Sequence, residues 1–82
     1  MKTLTEMVID RLNYYLGEKH YTQYQLAEVS GVPYPTIKSI MQRRTKGITL
    51  KTVVMLARGF EVGVSEFLSD SYFHYDELDL EP

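Results

Sequence analysis

The segment Ser30-Gly31-Val32-Pro33-Tyr34-Pro35 interrupts a chain whose apolar residues otherwise repeat at helical spacing. Glycine suits the left-handed residue after a helix, and two prolines so close together fit only a turn and a first helical turn. One helix must therefore end near Ser30 and another begin near Tyr34. A Ser/Thr followed three residues later by Glu/Gln marks two further starts. Thr3-Leu4-Thr5-Glu6 opens a helix carrying Leu4, Val8, Leu12, Tyr15 and Leu16 on one stripe to Lys19, and Thr22-Gln23-Tyr24-Gln25 opens a helix of about two turns with Leu26, Ala27 and Val29. Beyond the prolines, Ile37 and Ile40 give the third helix a buried edge to about Gln42. Thr49 caps a fourth helix with Leu50, Val53, Val54, Leu56 and Ala57, which Gly59 is expected to stop, and Gly63 precedes a short fifth with Val64, Phe67 and Leu68. No strand-like alternation longer than a few residues appears.

At 82 residues this is one small domain, without room for a deep catalytic cavity. There is no cysteine, so disulfides, thiol nucleophiles and thiolate zinc sites are excluded, which fits a reducing cytosol. His20 and His74 lie far apart with no matched ligand, and neither a metal nor a cofactor is expected. No Ser/His/Asp spacing, glycine-rich phosphate loop or paired-carboxylate pocket suggests an enzyme. Apolar runs stop far short of the roughly 20 residues that span a bilayer, and no signal-peptide pattern opens the chain; a cytoplasmic protein without a membrane partner is expected.

Charge is divided along the chain. Residues 29–60 hold Lys38, Arg43, Arg44, Lys46, Lys51 and Arg58 with no Asp or Glu, whereas residues 61–82 hold seven acids with no Lys or Arg. The formal net charge of −2 conceals this separation. Potential acts over about one Debye length, roughly 8 Å at physiological salt, so the local cationic block governs what meets it. A polyanion suits it. The expected division is a domain over residues 1–70 and an acidic tail with the aromatic cluster Tyr72 to Tyr75 over residues 71–82.

The second and third helices, joined by a tight glycine turn, form a helix-turn-helix, in which the later helix can enter a DNA major groove. Ala27 permits close approach of the two helices, Gly31 lies at the turn, Val32 plugs the gap beneath it, and Ile37 with Ile40 locks the third helix down. On these residues, from Thr22 to Val32 and then Thr36, Ile37 and Ile40, the chain resembles the Cro and lambda-repressor-like helix-turn-helix family of the xenobiotic response element type, over roughly Val8 to Leu68.

The resemblance implies an all-α, compact five-helix bundle that binds double-stranded DNA as a homodimer and regulates transcription, commonly as a repressor, in bacteria or their phages. It also implies site residues. Thr22 and Gln23 open the second helix, Gln23 matching the family's phosphate-contacting glutamine, and Tyr34, Pro35, Thr36, Lys38 and Ser39 occupy the base-reading and backbone-contacting positions of the recognition helix. Arg43, Arg44 and Lys46 follow as backbone clamps. The chemistry agrees: Lys38 can donate to guanine O6 or N7 or to phosphate, and the hydroxyls can bond either. Pro33 and Pro35 depart from the family's polar helix start and remove two amide donors there. Leu16 and Met41 stand where the family often carries Arg and Glu. Tyr14, Tyr15, Tyr21 and Tyr24 are expected in core and helix-face packing. A second reading keeps the bundle but uses the acidic tail to engage a basic protein partner, as an antitoxin-like interaction module would.

Overall fold

The structure, a computed structural model, describes residues 2–45, 47–69 and 78–79. Five helices follow in order: α1 Leu4–Lys19, α2 Gln23–Ser30, α3 Tyr34–Met41, α4 Leu50–Gly59 and α5 Val64–Phe67. Two short strands, β1 Lys2–Thr3 and β2 Leu78–Asp79, pair in parallel with Lys2 opposite Leu78 and Thr3 opposite Asp79. The fold is the all-α five-helix bundle, to which this two-residue pairing adds a tie between the two ends of the chain. Residues 70–77, including the aromatic cluster Tyr72 to Tyr75, and the last three acidic-tail positions lie outside the described residues.

Both capping boxes form. The Thr3 hydroxyl accepts from the Glu6 N–H at 3.1 Å while the Thr3 N–H donates to Glu6 Oε1 at 3.1 Å, and Thr22 with Gln25 repeats the exchange at 3.1 and 2.9 Å. Two otherwise orphaned donors are thus satisfied at each helix start. At the other end, Gly31 adopts φ 80° and its N–H donates to the Ala27 carbonyl at 3.0 Å, which turns the chain out of α2. α3 begins without a side-chain cap: Pro33 and Pro35 have no amide hydrogen, and the amides of Thr36 and Ile37 donate to the Pro33 carbonyl at 3.0 and 3.2 Å.

The core is built on Val8, Ile9, Leu12 and Tyr15 of α1, on Val53, Leu56 and Ala57 of α4 and on Phe60 just beyond it, with Leu26, Val32, Ile37, Ile40 and Phe67 between them. Tyr15 stacks on Phe60 and Phe67 at centroid distances of 5.4 and 5.8 Å. Arg11 closes α5 from outside the core: its Nε donates to the Phe67 carbonyl at 2.6 Å and an Nη to the Glu66 carbonyl at 3.0 Å, supplying charge-assisted partners at a helix C-terminus.

Four positions differ from their sequence pattern. Leu4 and Leu50, each the first residue of its helix, are exposed. Val29 is exposed because α2 directs Leu26, Ala27 and Ser30 inward, which leaves position 29 about 110° from the centre of the packed face. Gly59 does not stop α4. It is the last residue within it, buried against α2, and the left-handed residue comes two positions later at Glu61, φ 61°.

Burial pushes the Tyr15 phenol above its ordinary 10.0, opposed by the Arg11 guanidinium and reinforced by the Glu66 carboxylate. The fold therefore favours the protonated phenol. Stability from this group is fully present below about pH 10 and is lost as pH rises from there through the folded value, because the unfolded chain releases the proton first. Urea titrations between pH 8 and 11 should show this decline in the parent and a shallower one in Tyr15→Phe. Equal slopes would exclude Tyr15 as its source.

Candidate nucleic-acid interface

Ile37 and Ile40 hold one edge of α3 to the core with 0 and 1 % exposure, and this fixes what the opposite edge presents. Tyr34, Pro35, Thr36 and Lys38 are exposed and Ser39 is half-buried. At the start of α2 Thr22 is exposed and Gln23 half-buried. The sequence-expected positions of both helices thus reach the surface. After α3 the chain reverses: the Arg43 N–H donates to the Ile40 carbonyl at 3.0 Å, the Arg44 N–H to the Ser39 carbonyl at 2.9 Å, and Arg43 takes φ 58°. Both arginines are exposed, and Arg43 lines a shallow depression of about 180 Å³ with Thr3, Thr5, Glu6 and Thr45. Lys46 lies outside the described residues.

Among the described residues no carboxylate pairs with Lys38, Arg43, Arg44, Lys51 or Arg58, all of them exposed. Among the described residues, then, these five cations of the block read from the sequence have no carboxylate partner. Nor does any described group of three His, Cys, Asp or Glu residues come together as metal ligands, and no described helix is long and apolar enough to cross a membrane.

Of the four N-terminal tyrosines, Tyr15 and Tyr21 pack on Phe60, while Tyr14 and Tyr24 stay 55 and 61 % exposed. Tyr24 was not singled out for the interface by sequence. Its ring meets Tyr34 edge-on at 5.7 Å, and the Lys38 ammonium lies 5.7 Å from the centre of the Tyr34 ring. Nothing periodic marks this cluster, since residues 24 and 34 meet only once the glycine turn has placed α2 beside α3.

A short helix locked by two isoleucines, its outer edge exposed and flanked by exposed cations, and a preceding helix braced against it through a left-handed glycine define a helix-turn-helix DNA-binding domain. Residues 11–71 match the Cro/C1-type HTH DNA-binding domain, and the chain belongs to that family. The control protein C.SmaI of Serratia marcescens is 29 % identical over 66 residues, which cover 80 % of this chain and 77 % of its own length. No solved structure matches significantly. The family is one of DNA-binding transcription regulators and not a class of enzyme.

Proposed function

We propose that the protein is a homodimeric repressor that docks α3 in the major groove of a two-fold symmetric site on duplex DNA. The observation that carries this reading is the exposed edge Tyr34, Thr36 and Lys38, continuous in sequence with the exposed Arg43 and Arg44, which no carboxylate among the described residues pairs. Lys38 and Thr36 are the donors for base edges, with Tyr34 beside them. Thr22, Gln23 and Ser39 are phosphate partners, and Arg43, Arg44 and Lys46 clamp the backbone. Pro35 shapes the head of α3 without offering an amide. Such a protein works in the cytoplasm of a bacterial cell, where the duplex is.

Selection of bound sequences from a random duplex pool tests this directly. The expected product is a motif with two-fold symmetry whose half-sites lie about 34 Å apart, one helical turn. A reporter driven through that motif should fall when the protein is supplied. No enrichment overturns the docking, an asymmetric single half-site overturns the dimer, and a rise in the reporter overturns repression.

A further inference from the structure

An exposed lysine on a flexible four-carbon stem makes a poor reader of sequence, because it can satisfy its charge on any phosphate within reach. Lys38 is placed otherwise. It lies four residues after Tyr34 on the same helix, and side chains on a helix lean toward its N-terminus, so its ammonium comes back over the Tyr34 ring. That carries the charge toward the N-terminal end of α3, the end whose residues meet base edges in a helix-turn-helix. The Tyr34 ring is in turn met edge-on by Tyr24 from α2. Tyr24 has no core role to explain it: it is 61 % exposed, while Leu26 on the same helix is fully buried and anchors α2.

We propose that Tyr24 is a positioning residue for base readout, holding the Tyr34 ring so that its face keeps the Lys38 ammonium aimed at the O6 and N7 acceptors of guanine. Resting on the docking of α3 proposed above, this adds a residue of α2 and a base class to that reading. The contact that matters is between the two rings, not the Tyr24 hydroxyl. Aromatic and cation–ring contacts of this kind are worth about 3- to 10-fold in an equilibrium.

The test is a double-mutant cycle on the duplex recovered by selection and on a random-sequence duplex of equal length. Tyr24→Ala should lower the ratio of specific to random affinity by about 3- to 10-fold and leave the random affinity within about twofold, and Tyr24→Phe should keep the parent ratio. In a Lys38→Ala background the Tyr24→Ala change should cost little more. Losses that simply multiply, equal losses on both duplexes, or no loss would each overturn the inference. A silent Lys38→Ala would overturn Lys38 as a base reader and the inference with it. NMR of the free protein separates the two readings. The Lys38 Cε protons should carry an upfield ring-current shift that Tyr24→Ala weakens and Tyr24→Phe retains, and absence of that shift in the parent overturns the inference while leaving the docking of α3 standing.

Discussion

Replacing Lys38, Arg43 and Arg44 together by Ala is expected to reduce duplex affinity by about 100-fold or more at physiological salt, with the fold intact. The cost arises because each cation that meets a phosphate releases condensed counterions, a gain that grows as salt is lowered. If about five or six phosphates are neutralised per protomer, log affinity falls with log salt at a slope near −5, and loss of the two backbone clamps Arg43 and Arg44 should bring it to roughly −3, whereas loss of Lys38 removes base contacts. The loss cannot come from unfolding, since all three side chains are exposed and none is in an ion pair among the described residues. Surface changes of this kind usually move stability by no more than about 0.5 kcal/mol. Titrations at several salt concentrations with circular-dichroism melts alongside would decide the matter. Unchanged affinity and slope would remove the cationic edge from the interface.

Gly59→Val should be the most damaging small substitution in the bundle, destabilising it by about 3 kcal/mol or more, the upper end of overpacking costs. A Cβ at position 59 would stand 2.7 Å from Ser30 Cβ and 3.0 Å from Ser30 Cα, neither of which is the mobile end of a side chain. α2 must move away from α4 to make room. Gly59→Ala sets two effects against each other: about 1 kcal/mol gained from helix propensity and about 1–3 kcal/mol lost to the contact, for a net loss of about 0–2 kcal/mol. For a domain of this length, whose whole stability is of order 4–12 kcal/mol, the valine removes a large share. Because α2 carries Thr22 and Gln23 and braces α3, duplex affinity should fall by more than the unfolded fraction explains. Urea unfolding measures the first effect, and an alanine variant more stable than the parent would show that the two helices are not in close contact there.

Helix boundaries were legible wherever a local chemical device sets them. Thr3 with Glu6, Thr22 with Gln25, and Thr49 cap α1, α2 and α4 as their spacing predicts, and Gly31 takes the left-handed turn. Such devices work within a few residues and do not depend on distant neighbours. The inward edge of α3 was also legible, because Ile37 and Ile40 three residues apart determine which side packs and hence that Tyr34, Thr36 and Lys38 face outward. Gly59 was not, because a glycine near a helix end signals a stop equally well, and only the approach of Ser30 shows that the missing side chain makes space for another helix.

Local spacing and charge order along the chain determined the five helices, the helix-turn-helix and the isolated cationic block, since each is a relation among residues close in sequence. Tertiary structure alone decided three further matters: the outward turn of Val29, Leu4 and Leu50, the closure of α5 by Arg11, and the meeting of Tyr24 with Tyr34 and Lys38. The physical reason is the same for all three. Which side of a helix is covered, and which side chain reaches a neighbour, depends on how whole helices rotate and approach to fill one small core, and that arrangement minimises exposed apolar surface over the entire chain at once.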